Sequence, residues 1–359
     1  MIFLKKCANN NMSQNTLVDL INPNCFQEAI VIDTSKKMQY IEQLRLMVLI
    51  RKSEEKIADA VVNNDIKCPC HLGIGQEAVA VGIASQIRSS DRVFGAHRSH
   101  THFLSLGGSV YHLFAEVLGK ITGCSKGMGG SMHLIDKTIG FHGSVPIVGA
   151  TVPIATGAAL AALKDNNGDV AVSYFGDGAI EEGAVQESFN LAAVMKLPII
   201  FVCENNLFSS HLHIDLRQPD NSTARFAKAH NIDYNIVDGN DIELMNQTAE
   251  KAVSYCREKK GPYFIEAITY RWRGHVGPSE DIDVGVKRKD DLATWKKRDP
   301  VKRLFDALVH HKLFDQSDFD LLTQDVQAEI DHSWEQALSD PYPDNDQLFD
   351  TVYFDKETV

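Results

Sequence analysis

Two short apolar runs, each ending in small or amide residues and joined by a single helix, constrain this fold most tightly. Val170–Phe175 is suited to a buried strand and ends at Gly176-Asp177-Gly178. Pro198–Cys203 is a second such run and ends at Glu204-Asn205-Asn206. Between them Val185, Phe189, Ala192 and Ala193 recur at the three-to-four spacing of one helix face. Strand, helix, buried strand is a βαβ unit, which requires a parallel sheet and a right-handed crossover. Asn235–Val237 and Tyr263–Tyr270 read as further strands, separated by a helix from about Asp241 to Lys259. Val152–Leu163, crowded with alanine, is a helix, and Asp165-Asn166-Asn167-Gly168 a turn. The expected fold class is α/β, a doubly wound and mostly parallel sheet flanked by helices.

The flanks are helical. Ile41, Leu44 and Val48, then Ile57, Ala58, Val61 and Val62, line one face of a helix over 38–64. Ala80, Ile83, Ala84 and Ile87 line a second over 76–88. Residues 120–150 are glycine-rich without a period, and so long a loop in a compact domain is usually functional. After Gly285 the chain turns charged and helical, with Trp295, Leu304, Phe305 and Leu308 as packing residues. The predicted division is a flexible segment over 1–37, an α/β domain over 38–284 and a helical extension over 285–359. Ala8–Asn15, polar and Asn-rich, reads as disordered.

Charge and composition exclude some partners. A formal charge of −12 argues against nucleic acid, whose phosphates need clustered positive charge. No apolar run reaches the roughly 18 residues that cross a bilayer, so no membrane role is expected. The N-terminus lacks the pattern of an export signal, which makes the cytoplasm the expected location and reduced thiols the default for seven cysteines. Cys68-Pro69-Cys70-His71 has no second half at zinc-site spacing. Gly73-Ile74-Gly75-Gln76-Glu77-Ala78 fits a dinucleotide fingerprint, but no clear strand precedes it, and without the strand the pattern loses its mechanism.

Ligands of parallel sheets bind beyond the carboxyl ends of the strands. Gly176-Asp177-Gly178 is such a place: glycines let backbone amides approach an anion, and the following helix start favours negative charge. A carboxylate among phosphate-facing amides is sensible if Mg²⁺ lies between them. Twenty-six residues separate Gly178 from Asn205, one helix and one strand. That length returns Asn206 to the sheet edge that carries Asp177, where its amide oxygen can complete a metal shell.

The two elements at that spacing match the signature of thiamine-diphosphate enzymes. From about residue 38 to its end the chain resembles the alpha subunits of pyruvate and acetoin dehydrogenases. The resemblance rests on His71-Leu72 with Gly75-Gln76-Glu77-Ala78, His97-Arg98-Ser99-His100, Gly123-Cys124-Ser125-Lys126-Gly127, Gly130-Ser131-Met132-His133, Ile147-Val148-Gly149-Ala150 and Arg271-Trp272-Arg273-Gly274-His275. It implies the thiamine-diphosphate-binding fold over 38–284 and a role for each matching residue. Asp177, Asn206 and the Phe208 carbonyl are the implied Mg²⁺ ligands, Phe208 standing where relatives have Tyr. Gly178 and Ala179 offer amides to the diphosphate, and Arg98 its cationic fork. His97, in place of a Tyr, also faces it. The Val148 carbonyl meets the aminopyrimidine, and His71 and His275 lie at the reacting end, where imidazoles suit proton movement near neutral pH. His100 and His133 are read as structural.

The implied activity is decarboxylation of a small 2-oxo acid, or cleavage of acetoin, with acyl transfer to a lipoyl group. The family also needs a glutamate from a second kind of domain, for which this chain has too little sequence. A beta subunit in an α2β2 assembly is therefore implied, with a lipoyl acyltransferase core as a further partner. Two departures stand out. Val276 replaces the regulatory serine of animal pyruvate enzymes, and Ser209–Ile214 with Leu216–Pro219 resembles a bacterial subgroup. A thiamine-diphosphate carboligase of transketolase type, which passes the carbanion to an aldehyde, shares Asp177, Asn206 and Arg98. A degenerate regulatory subunit is the non-catalytic alternative.

Overall fold

The computed structural model describes residues 16–282 and 288–349. Helices α1 (Leu17–Leu20), α2 (Lys37–Val62) and α3 (Glu77–Ala84) precede strand β1 (Arg92–Gly95). Helices α4 (His100–Ser105) and α5 (Val110–Val117), strand β2 (Phe141–Ser144) and helix α6 (Thr151–Asp165) lead to β3 (Ala171–Gly176). Then come α7 (Gly183–Met195), β4 (Ile199–Asn205), a small hairpin of β5 (Phe208–Ser209) and β6 (Leu212–His213), and α8 (Ala224–Ala229). Strand β7 (Asp233–Asp238), α9 (Ile242–Arg257) and β8 (Tyr263–Ile268) complete the sheet. Helices α10 (Arg288–Trp295), α11 (Pro300–His310) and α12 (Gln316–Ser339) follow.

Side chains alternate across a strand, and that alternation sorts the apolar runs onto two faces. Val172, Tyr174, Ile200, Val202, Ile265 and Ala267 point into one core with residues of α2, α3, α5, α9, α11 and α12. Ala171, Phe175, Ile199, Phe201, Cys203 and Phe264 point into the other with α6, α7 and α8. Burial on both faces is why these strands read as continuous apolar runs. The main sheet has the order β2-β1-β3-β4-β8-β7, and every pairing is parallel. The doubly wound α/β expectation is met.

The differences from the sequence reading are local. Strand β1 and helix α4, four and six residues long, are too short for a periodic signal, whereas α5 carries one that the sequence reading omits: Val110, Leu113, Phe114 and Val117 share a buried face at helical spacing. Strand β2 lies inside the glycine-rich stretch read as loop; there Phe141 is buried while Gly143 has a φ of +144°. The rest of that stretch is irregular but ordered by Glu116 at the end of α5. Its buried carboxylate accepts hydrogen bonds from the amides of Ser125, Gly127, Gly129 and Gly130 at 2.7–3.0 Å. Residues 16–36, part of the segment read as flexible, lie against the domain, with Leu20, Cys25, Phe26, Ile30 and Ile32 buried. The Ala8–Asn15 stretch read as disordered lies outside the described residues.

Helices α11 and α12 share the larger core with α2 through Leu304, Leu308, Ile330 and Trp334. Their start is fixed electrostatically: buried Asp238 at the end of β7 pairs with Arg298 at 2.8 Å and Arg303 at 2.9 Å. Among the described residues no helix is long and apolar enough to cross a membrane.

Candidate functional site

Five strands deliver their following segments to one edge of the sheet. Beyond β1 come His97 and Arg98, and beyond β2 come Val148 and Gly149. Beyond β3 come Asp177, Gly178 and Ala179, beyond β4 come Asn206 and Phe208, and beyond β8 comes His275. Because β3 and β4 are in register, with Gly176 opposite Glu204, the Gly-Asp-Gly turn and the Asn-Asn pair leave the sheet side by side. A single cleft there is lined by nine of the sequence-predicted residues, His97, Arg98, Val148, Asp177, Gly178, Ala179, Asn206, Phe208 and His275. The tenth, His71, stands behind them, its ring 4.7 Å from that of His97 and 5.1 Å from that of His275.

Asp177 is 1% exposed, and its two carboxylate oxygens differ. One pairs with the Arg217 guanidinium, while the other, Oδ1, is buried with no hydrogen-bond partner. Burial pushes the Asp177 carboxyl above its ordinary value, and the Arg217 charge opposes that push. A buried carboxylate costs much unless a cation answers it, so the position calls for positive charge. Arg217 supplies it and also pairs with Glu181. The Asn206 side-chain oxygen accepts the Phe208 amide at 3.2 Å, and its nitrogen donates to Gln76 Oε1 at 3.2 Å. An amide oxygen has two lone pairs, so Asn206 keeps acceptor capacity for a cation. Beside them Gly178 is compelled by space: a Cβ there would lie 2.3 Å from Ser209 Oγ.

Arg98 is the cationic wall of the cleft. Its guanidinium donates to two carbonyls, Leu72 at 2.7 Å and His275 at 3.1 Å, so its charge has no carboxylate hydrogen bond to satisfy it. Burial lowers its pKa to about 10, which leaves it protonated at neutral pH. The histidines shift the same way but end uncharged. Burial, then the Arg98 charge, lowers His71 to about 3, His97 to about 2 and His275 to about 4. All three are neutral imidazoles at physiological pH, each with one ring nitrogen able to accept a proton. His71 Nδ1 is buried without a partner.

These features fit a diphosphate ester bridged by a divalent metal: an orphaned carboxylate oxygen, a stand-in cation, a glycine cradle and an unpaired arginine fork. Sequence reasoning missed several residues of the cleft. Gln76 sits in a motif that was quoted for its family likeness, and Glu204 directly precedes the Asn-Asn pair; both line the wall. His102 also lines it, held by Glu204 at 3.3 Å and stacked on Tyr174 with ring centroids 3.8 Å apart. Arg217 lies in the Leu216–Pro219 stretch that resembles a bacterial subgroup, with nothing there to mark its contact with Asp177, and Asp281 carries no local signal at all. Asp281 accepts the His275 amide at 2.6 Å and pairs with His211 at 3.2 Å, a contact that only the folded loops create. His100, read as structural, is fully buried between Glu54 at 3.3 Å and Ser131 Oγ at 2.9 Å. The dinucleotide-like Gly73–Ala78 stretch runs into the start of α3, whose first-turn Glu77 is paired with Arg51. That helix start is already occupied by a carboxylate.

Comparison with known proteins agrees with this geometry. The family described as "Dehydrogenase E1 component" matches residues 45–346. A pyruvate dehydrogenase E1 component subunit alpha from Rhizobium meliloti (strain 1021) is 35% identical over 313 residues, covering 87% of this chain and 89% of the relative. The testis-specific mitochondrial form from Homo sapiens is 34% identical over 314 residues, covering 87% and 79%. The Dictyostelium discoideum mitochondrial subunit is 34% identical over 291 residues, covering 81% and 76%. The chain belongs to the dehydrogenase E1 component family, as the alpha subunit of a thiamine-diphosphate-dependent 2-oxo acid dehydrogenase.

Proposed function

We propose that this chain holds Mg²⁺–thiamine diphosphate for a dehydrogenase acting on pyruvate, acetoin or a related small 2-oxo acid, with acyl transfer to a lipoyl group. The observation that carries the reading is Asp177: a buried carboxylate with one orphaned oxygen, set between the Gly178 turn and Asn206. Asp177, the Asn206 amide oxygen and the Phe208 carbonyl are the proposed metal ligands. The amides of Gly178 and Ala179, with His97 and the Arg98 fork, are the proposed diphosphate contacts. The Val148 carbonyl is assigned to the aminopyrimidine. The bound cofactor supplies an electron sink for cleaving the bond beside a ketone carbon.

The chain's own residues do the rest. Arg98 neutralises charge and fixes the cleft by tying Leu72 to the His275 loop. His275 and His71, kept neutral by burial, accept a proton at a ring nitrogen and return it. Asp281 fixes the His275 backbone through its amide.

A beta subunit in an α2β2 assembly, with a lipoyl acyltransferase core, is the proposed setting, in the cytoplasm. Two exposed stripes support the need for a subunit partner. Helix α6 presents Ile154, Gly157 and Ala161 to solvent, and α7 presents Leu191, Val194 and Met195. Small and apolar residues in such rows suit close helix packing. The test is co-expression with a beta subunit of this family, then following CO₂ release, lipoyl acylation and carbon–carbon bond formation from each substrate. Lipoyl acylation is the expected product. Ligation to an aldehyde without it would replace the dehydrogenase reading by a carboligase, and failure to bind Mg²⁺–thiamine diphosphate would make the chain regulatory.

A further inference from the structure

Cys68 and Cys70 flank the exposed Pro69, immediately before His71, and nothing in the proposed chemistry uses them. Their sulfurs are 4.0 Å apart in hydrogen-bonding contact. Cys68 is partly exposed, and its sulfur also faces the Val117 carbonyl at 3.7 Å; Cys70 is 1% exposed. The two are unequal acids. Cys68 is drawn below its ordinary value, chiefly by the hydrogen bond from Cys70, whereas that contact and burial push Cys70 up. An accessible thiolate beside a buried resolving thiol is the arrangement of a redox-sensing pair.

The same segment braces the cofactor cleft. The Cys70 carbonyl accepts the Gly277 amide at 2.8 Å, which anchors the loop that carries His275. Two residues on, the Leu72 carbonyl accepts from Arg98 at 2.7 Å. Between them His71 touches the His97 and His275 rings. A disulfide needs its sulfurs about 2 Å apart, so joining them brings the sulfurs together by roughly 2 Å, several times the ~0.5 Å spread of hydrogen-bond lengths.

We propose that Cys68 and Cys70 form a peroxide-sensitive dithiol, and that its oxidation loosens the His71–His275 end of the cleft. The Cys68 thiolate attacks hydrogen peroxide; the O–O bond breaks, an S–O bond forms, and the departing hydroxide takes up the proton that the thiol had released, giving water. Cys68 is oxidised by two electrons to a sulfenic acid and the peroxide is reduced. The Cys70 thiol then attacks the Cys68 sulfur, forming the S–S bond, and the S–O bond breaks with release of a second water. Reduction by an external dithiol reverses the step.

The thiol chemistry does not depend on the functional reading, and its test uses no activity. The full chain is treated with hydrogen peroxide and followed by intact mass and peptide mapping. The expected product is a loss of two hydrogens mapped to a Cys68–Cys70 bond and restored by dithiothreitol. C70S should instead retain a dimedone-reactive sulfenic acid on Cys68, and C68S should give neither product. A disulfide that joins either residue to another cysteine, or thiols that survive while other cysteines oxidise, overturns the assignment. Hydrogen exchange supplies the second readout. Oxidised wild type should lose protection at Gly277, and peroxide-treated C68S should not. A formed disulfide with unchanged exchange there overturns the coupling to the cleft.

Discussion

Asp177 owes its importance to two opposed forces, removal of a carboxylate from water and attraction by a neighbouring guanidinium. A metal at Oδ1 would have to compete with Arg217 for the same charge. Asp177→Asn should therefore weaken Mg²⁺-dependent cofactor binding by one to two orders of magnitude, on the order of 1.4–3 kcal/mol, because a neutral amide is a poor ligand for a hard cation. Arg217→Gln should act oppositely and strengthen it several-fold. Calorimetric titration with Mg²⁺–thiamine diphosphate reads both, and an Arg217→Gln variant that binds more weakly would place Arg217 on the ligand's side. The imidazoles give a pH prediction. His71, His97 and His275 titrate at about 3, 2 and 4 in the fold against an ordinary 6.5. The unfolded chain then binds more protons below that value, so the contribution is fully present above pH 6.5 and is lost progressively as pH falls from there through 4 and 3 to about 2. The melting temperature should fall through that window, and His97→Phe should fall less steeply; an identical slope would remove these groups as the cause.

The elements that hold the site differ in how plainly the sequence announces them. Strands β3 and β4 were legible because both faces are buried, helix α7 because its apolar face recurs at helical spacing, and helix α6 because alanine crowds it. The placement of Asp177 and Asn206 followed from those two strands alone. Strand β2 was not legible, because its Gly143 and half-buried His142 break any apolar run. The glycine-rich segment after α5 was invisible for another reason: its order comes from one distant carboxylate. Glu116 answers four amides that have no ladder to join. Replacing it by alanine leaves those half-buried donors unsatisfied, each at the lower end of about 1–3 kcal/mol before relaxation. A net loss on the order of 3–5 kcal/mol is expected, and Glu116→Gln, which keeps an acceptor, should lose less. Denaturant titration checks this by a lower midpoint at unchanged slope. Arg217 and Asp281 escaped sequence reasoning in the same way, since their roles exist only where hairpin β5–β6 and the loop after β8 meet the cleft.

At the scale of the molecule, the two faces of the sheet are covered unequally. One face carries helices α11 and α12 over α2 as a second layer, clamped through Asp238, Arg298 and Arg303. The other carries α6, α7 and α8, and on α6 and α7 the outer sides still show small and apolar residues. Gly157 makes this asymmetry testable, because a Cβ built there meets nothing within 4 Å. In the free chain Gly157→Ala should stabilise α6 by about 0.5–1 kcal/mol, through lower backbone entropy in the unfolded state. Gly157→Leu should also fold, since its side chain has open space. If a partner subunit packs closely on this face, the larger side chain meets that partner instead. Gly157→Leu and Val194→Asp should then leave the monomer's unfolding free energy within about 1 kcal/mol of wild type, as surface changes do, yet abolish the heavier species in sedimentation with the beta subunit. Assembly that survives both substitutions would move the interface elsewhere, while leaving the assignment of Asp177 untouched.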